Sequence, residues 1–145
     1  MPAFCRLGGD HGIDISHCRL DPGRRKHRGC GKLATHLIDQ ATHRHAAGNF
    51  TGFFATHAIG DRANQEVLDL FEASFRANPD RRTLRWRIEH AQHIHPNDIP
   101  RFGKLGVIAS MQGIHCTSDA PYVHERLGPR RAAEGAYVWQ KLMKS

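Results

Sequence analysis

The feature that most constrains this sequence is a regular alternation of short apolar runs with longer amphipathic stretches after about residue 50. One apolar run ends at His57, and a second, in which Leu84, Trp86 and Ile88 alternate with arginines, leads into His90. Residues 107–111 form a third run. Short runs of this kind are typical of buried parallel strands, so the pattern predicts three strands.

Amphipathic stretches separate these predicted strands. Residues 62–77 place apolar side chains on one helical face, Asp61 stands where an N-cap acceptor is expected, and Asn78-Pro79 ends the stretch. Pro96 opens a second helix that ends near Gly103 or Gly106, and residues 129–143 form a final helix. The sequence therefore predicts an α/β fold with a parallel sheet and crossover helices, about three βα units.

His57 and His90 are 33 residues apart, which is about one strand–helix–strand unit, and each lies at the C-terminal end of its predicted strand. In a (β/α)8 barrel these strand ends meet at the active-site face, so the two imidazoles can bind one metal ion between them. The alternative is a pair of half-buried histidines bonded to backbone. Glu89 and Gln92 flank His90, either to orient it or to bond the loop.

The charge and composition set further limits. The net charge is +7, and residues 1–50 carry +4 of it, notably in the basic run 24–28. That run has no interleaved aromatic residues for base stacking, so we expect no nucleic-acid partner. No apolar stretch is long enough to span a membrane and no signal peptide is visible, which predicts a cytoplasmic protein with no membrane partner. The four cysteines show no paired spacing and are expected to be free thiols.

Several motifs after residue 55 resemble the metal-dependent amidohydrolase superfamily, and in particular its amidohydrolase-3 or YtcJ-like branch. They occur in the family's order and spacing, and they are HAIGDRA (57–63), RIEHAQ (87–92), ASMQ (109–112), TSDAP (117–121), ERLG (125–128) and AYVW (136–139). The resemblance covers about residues 55–145 and implies a distorted TIM barrel with a metal centre at its mouth.

The resemblance also implies roles for three histidines. His57 corresponds to the family's strand-five metal ligand, His90 to its strand-six ligand, and His115 to a residue that lines the substrate pocket. The implied cofactor is a divalent metal, zinc being the expected ion, since neutral imidazole suits zinc. The implied reaction is hydrolysis of carbon–nitrogen bonds other than peptide bonds, in a small amide-type substrate.

The sequence departs from the family pattern in two ways. His43-Arg44-His45 and His93-Ile94-His95 have the spacing of the family's strand-one ligand pair. The first lacks an apolar strand leading into it and the second lies in a loop after the strand-six ligand, so we interpret both as coincidences of a histidine-rich chain. The sequence ends at Ser145 before any strand-eight aspartate, so we assign no catalytic residue to this chain. We therefore expect residues 51–145 to be a fragment of a catalytic (β/α)8 barrel, inactive alone.

Two expectations follow from the fragment interpretation. Residues 1–50 lack any period and are expected to be an irregular segment, either disordered or translated out of frame. A barrel cut open leaves apolar sheet edges, which predicts self-association. The alternative interpretation of the whole chain is a small basic module that binds nucleic acid through residues 24–28, with incidental histidines.

Overall fold

The fold is built on a five-stranded sheet, seen in a computed structural model that describes residues 7–8, 12–14 and 54–145. The strands lie in chain order, β1 (Leu7–Gly8), β2 (Gly12–Asp14), β3 (Ala55–Ala58), β4 (Arg87–His90) and β5 (Ile108–Ser110). β1 pairs antiparallel with β2, and β2 to β5 are all parallel. The α/β class and the three strands predicted after residue 50 are therefore confirmed.

Two helices follow β3 and β4 as crossovers. Helix α1 (Asp61–Ala77) buries Val67, Leu68, Phe71 and Phe75, which recur at helical spacing and so form one apolar face. Helix α2 (Ile99–Leu105) ends at Gly106, whose φ of 70° lies in the left-handed region that glycine adopts without strain. Three further helices lie after β5, namely α3 (Gly113–Leu127), α4 (Pro129–Gly135) and α5 (Trp139–Leu142).

The core lies between one face of the sheet and helices α1 and α2. Its centre is an aromatic cluster in which Trp86 lies 5.0–5.1 Å, centroid to centroid, from Phe54, Phe71 and Phe75. Alternate strand residues such as Thr56 and Ile88 are fully buried against this cluster. Burial of four aromatic side chains supplies several kcal/mol, so this face anchors the sheet on which the histidines stand.

The second strand of the predicted three begins later than the sequence pattern indicates. Leu84 ends a 3₁₀ turn over Pro79–Leu84, and Arg85 has a φ of 54°, in the left-handed region. Because a strand cannot continue through a left-handed residue, β4 starts at Arg87. Trp86 is buried as the alternation predicted, although it precedes the strand.

The predicted final helix over residues 129–143 is wrong as a single element. It is divided into α4 and α5 because Tyr137 has a φ of 51°, which no continuous helix accommodates. Helix α3 was not predicted from the sequence, since none of its residues is buried and it carries Pro121 inside it. Both features remove the apolar period on which helix prediction depends.

Most of the segment before residue 54 lies outside the described residues, including the basic run 24–28, so the division at residue 50 stays a prediction. The short strands β1 and β2 fall within that segment. Across the described part of the chain, no helix is long and apolar enough to cross a membrane, and a cytoplasmic location stays a prediction. Cys116 is a free thiol, as expected.

Candidate metal centre

His57 and His90 converge at the carboxyl ends of neighbouring parallel strands. His57 lies on β3 and His90 is the last residue of β4, with Ala58 in register with His90. Nδ1 of His57 is 3.0 Å from Nε2 of His90, and the ring centroids are 5.0 Å apart. Both side chains are half-buried, so one pair of imidazole nitrogens meets at a partly accessible point.

The backbone after β4 turns sharply to produce this convergence. His90 and Ala91 have φ values of 74° and 44°, so two consecutive residues other than glycine occupy the left-handed region. Such conformations cost about 1 kcal/mol or more each and persist only where the surroundings hold them. Ala91 is held by the bond from its N–H to the Ala58 carbonyl (2.9 Å), and it is fully buried.

Asn64 ties together the loops that follow the two strands. Its side chain is fully buried, and its Nδ2 donates to the carbonyls of Gly60 (2.9 Å) and His93 (3.2 Å). Gly60 follows β3 and His93 follows β4, so one side chain from α1 fixes the spacing of the two strand ends. Sequence reasoning did not identify Asn64, because a polar residue on an amphipathic helix is normally exposed.

Gln112 contacts His90 directly. Its Oε1 is 2.8 Å from Nδ1 of His90, and its Nε2 donates to the Ser110 carbonyl at 2.9 Å. Glu89 and Gln92, which flank His90 in the sequence, were predicted to orient it or to bond the loop. Glu89 instead forms an ion pair with Arg87, and Gln92 points away into a different cluster. Gln112 could have been found from its position, since it too follows a strand end.

Gln92 belongs to a polar cluster with Asp119 and Tyr137. Gln92 is buried, and its Nε2 donates to Oδ2 of Asp119 (3.0 Å) and to the Tyr137 hydroxyl (2.6 Å). The Tyr137 hydroxyl also contacts Asp119 Oδ2. This hydrogen bond holds the pKa of Asp119 below its ordinary value, while burial and the neighbouring carboxylate raise the pKa of Tyr137. The cluster joins α3 to the segment between α4 and α5.

His115 lies on helix α3 above the histidine pair. Its ring centroid is 5.3 Å from that of His90, in an edge-to-face arrangement, and its main-chain carbonyl is 3.0 Å from the Tyr137 hydroxyl. The side chain is half-buried. The structure thus brings all three histidines predicted as site residues into one group, with the substrate contact of His115 still a prediction.

Asp61 and His93, which follow the two strand ends, contact residues outside this group. Asp61 is the first residue of α1 rather than its N-cap, which is Gly60, and it forms an ion pair with Arg131 of α4 at 2.6 Å. His93 packs edge-on against Tyr137 with centroids 5.6 Å apart. Burial lowers the pKa of His93, so the neutral ring is favoured there. The interpretation of His93-Ile94-His95 as coincidental stays a prediction.

The donor atoms fit part of a divalent metal site. Two nitrogens at about 2.0–2.1 Å from a tetrahedral zinc ion stand about 3.3 Å apart. The His57–His90 separation of 3.0 Å would therefore have to open by only a few tenths of an ångström. Residues 54–145, however, contain no cluster of three His, Cys, Asp or Glu side chains arranged to hold a metal ion. The described residues can supply two ligands of a larger set.

Parallel strands with a histidine at two adjacent carboxyl ends define a recognisable class, an α/β protein with a pair of imidazoles at the C-terminal edge of its sheet. The chain belongs to the amidohydrolase family, whose model matches residues 36–145. The resemblance noted in the sequence is therefore confirmed.

The chain is also similar to individual proteins. The chain is 47% identical over 89 residues to Protein LONG AFTER FAR-RED 3 of Arabidopsis thaliana and 33% identical over 89 residues to Putative amidohydrolase YtcJ of Bacillus subtilis (strain 168). Each match covers 61% of this chain, but only 15% and 16% of those proteins. The chain thus corresponds to a small part of the length of these relatives.

Two solved structures are similar to the described fold. Both are uncharacterized metal-dependent hydrolases, one from Pyrococcus furiosus (29% identity, TM-score 0.58) and one from Pyrococcus horikoshii OT3 (28% identity, TM-score 0.57). Each similarity covers 79% of this chain and 21% or 20% of the other.

Proposed function

We propose that His57 and His90 are two ligands of a divalent metal ion in a hydrolase of carbon–nitrogen bonds other than peptide bonds. The observation that carries this proposal is the convergence of His57 Nδ1 and His90 Nε2 to 3.0 Å at adjacent strand ends. Zinc is the expected ion because it accepts neutral imidazole in a tetrahedral set. When bound, a divalent cation polarises a carbonyl and makes water acidic enough to ionise near neutral pH.

We further propose that the described fold is one sector of a (β/α)8 barrel. Within residues 54–145, helices cover one face of the sheet, while Ala55, His57, Arg87 and Glu89 lie half-buried on the other. Doubly wound sheets are covered on both faces, whereas barrel strands turn one face inward, so the one-sided covering favours the barrel. The matches to 15–21% of longer relatives support the same proposal.

Residues of α3 are proposed to form the substrate wall of this site. His115 and Asp119 lie on that helix, and the Tyr137 hydroxyl contacts the His115 carbonyl (3.0 Å) and the Asp119 carboxylate. The substrate class is a small amide. With only two ligands and no third donor in the described part, this sector is proposed to bind metal weakly and to be inactive on its own.

We also propose that the chain self-associates, as the sequence predicts. β5 pairs with β4 on one side, and within the described residues no strand pairs with its other side. A free parallel edge is a template for pairing with another chain. Light scattering over a concentration range tests this, because a mass that stays at one chain at every concentration would contradict it.

Metal titration of the full 145-residue chain tests the ligand assignment. Isothermal titration with Zn²⁺, and the visible spectrum with Co²⁺, should show a site that His57→Ala and His90→Ala each weaken by about tenfold or more. His124→Ala is the matched control, since His124 is exposed on α3. Equal affinity in the wild type and both strand-end variants would refute the proposal.

A further inference from the structure

The orientation of the Gln112 amide is determined by its two contacts. One end of the amide lies 2.9 Å from the Ser110 carbonyl, which can only accept, so that end is the NH₂ group. The other end is therefore the amide oxygen, and it lies 2.8 Å from Nδ1 of His90. An amide oxygen only accepts, so the hydrogen in this contact belongs to His90.

His90 accordingly carries its proton on Nδ1 in the neutral ring. Its other nitrogen, Nε2, then has a free lone pair, and this lone pair faces Nδ1 of His57 at 3.0 Å. In the metal-free pair the Nδ1–H of His57 donates to it. The same nitrogen that a metal ion must use is thereby kept unprotonated by a residue on the opposite side of the ring.

We propose that Gln112 is a positioning residue that holds His90 as the Nδ1–H tautomer and so makes Nε2 its metal-ligating atom. The tautomer assignment depends only on the contacts above, while the ligating role rests on the proposed function. The two polar residues that flank His90 in the sequence have other partners. Glu89 forms an ion pair with Arg87, and Gln92 forms hydrogen bonds with Asp119 and Tyr137.

The location of Gln112 suits this role. It precedes α3 directly after β5, and its bond to the Ser110 carbonyl anchors the amide to the last residue of that strand. Three successive strands thus contribute to one hydrogen-bonded row that runs from His57 through His90 to Gln112. Since each member comes from a different strand end, the row is set by the sheet rather than by a flexible loop.

Nitrogen NMR of the metal-free full chain tests the tautomer directly. With ¹⁵N-labelled histidine above pH 8, long-range ¹H–¹⁵N correlation should show Nδ1 of His90 as the protonated nitrogen and Nε2 as the unprotonated one. Gln112→Leu removes the acceptor, so the His90 signals should shift toward the Nε2–H form. Gln112→Glu keeps an acceptor and should keep Nδ1–H. A wild-type His90 protonated on Nε2, or a spectrum unchanged by Gln112→Leu, would overturn the inference.

Metal affinity supplies the second readout. Loss of a residue that orients a ligand typically weakens binding about 10–100-fold, so Gln112→Leu should raise the dissociation constant for Zn²⁺ by that factor, and Gln112→Glu should restore most of it. Gln65→Leu, at an exposed position of α1, is the matched control. Circular dichroism establishes that each variant is folded, and the tautomer of His90 in the wild-type chain carries the test if Gln112→Leu does not fold.

The two experiments separate this inference from the function on which it rests. A wild-type chain with the Nδ1–H tautomer and no measurable Zn²⁺ binding would refute the metal site and leave the role of Gln112 in setting the tautomer. A chain that binds Zn²⁺ through His57 and His90 while Gln112→Leu binds equally well would refute the positioning role and leave the metal site.

Discussion

Replacing Asn64 with alanine should destabilise the fold and loosen the histidine pair together. The Asn64 side chain is completely buried, and its Nδ2 lies within 3.4 Å of four main-chain oxygens. These carbonyls belong to Ala58 at the end of β3, to Ile59 and Gly60 in the loop that follows, and to His93 after β4. Alanine would remove every one of these contacts at once.

The size of the destabilisation follows from the number of hydrogens that the Asn64 side chain can donate. An amide nitrogen has two hydrogens, and three of the four carbonyls also accept a backbone N–H, namely Gly60 from Asn64, Ile59 from His93 and Ala58 from Ala91, at 2.9–3.0 Å. The loss is therefore two side-chain hydrogen bonds of about 1 kcal/mol each, with a further desolvation cost at the His93 carbonyl. We expect the free energy of unfolding to fall by about 2–3 kcal/mol.

Urea unfolding followed by tryptophan fluorescence measures this change, because Trp86 is buried in the core. Asn64→Asp should cost more than Asn64→Ala, since a carboxylate would face carbonyl oxygens with no hydrogen to donate. Asn97→Ala is the control at an exposed asparagine, with a cost within about 0.5 kcal/mol. A loss below about 0.5 kcal/mol for Asn64→Ala, or a stable Asn64→Asp, would refute the reasoning.

Three further predictions concern the stability of the fold. Gly135→Ala should cost about 1–3 kcal/mol in a urea melt, because its Cβ would lie 2.3 Å from the Ile94 carbonyl oxygen; Gly113→Ala, with nothing within 4 Å, should be neutral or stabilising, and equal effects would contradict this. Tyr137→Phe should be most destabilising near neutral pH. The Tyr137 hydrogen bond lowers the pKa of Asp119 below 3.8, so the stability it contributes is present above that pH and is lost as the pH falls through the lower folded value; unfolding measured from pH 7 to pH 2.5 should show the difference shrinking, and a constant difference would exclude this cause. Arg101→Met should cost about 2–3 kcal/mol, because it leaves Asp98, which is 2% exposed, without its cation, whereas Arg76→Met at an exposed pair should cost about 0.5 kcal/mol or less; a thermal melt that ranks the two variants equally would contradict the assignment.

The part of the fold that could be predicted from the sequence is the part with an apolar period. The strand that carries His57, the α1 face of Val67, Leu68 and Phe71, and the glycine end of α2 each follow local rules, and each is found in the structure. The strand ends were predicted from the same runs, which is why His57 and His90 were placed correctly. The distance between the two imidazole rings depends on the register of β3 against β4. For parallel strands, this register is implied by matching the two apolar runs.

The remainder depended on tertiary contacts that leave no local pattern. Tyr137 takes a left-handed φ because its N–H donates to the Gln92 carbonyl, 45 residues earlier in the chain, and this bond divides the predicted final helix. Asn64 is a polar residue of an amphipathic helix, which a sequence pattern would place on the exposed face. Its side chain is buried because it contacts four main-chain carbonyls. Gln112 was part of the motif that carried the family resemblance, but its contact with His90 depends on how two strand ends face each other.

Helix α3 has a consequence for how proteins of this kind diversify. None of its residues is buried, yet it holds His115 against the ring of His90 and Asp119 against Gln92 and Tyr137. Most exposed substitutions change stability by less than about 0.5 kcal/mol, so the exposed residues of α3, such as Ile114 and Tyr122, can be exchanged with little effect on whether the chain folds. Selection can therefore alter the chemical surface above the histidines in single steps, while the aromatic core beneath the sheet stays unchanged.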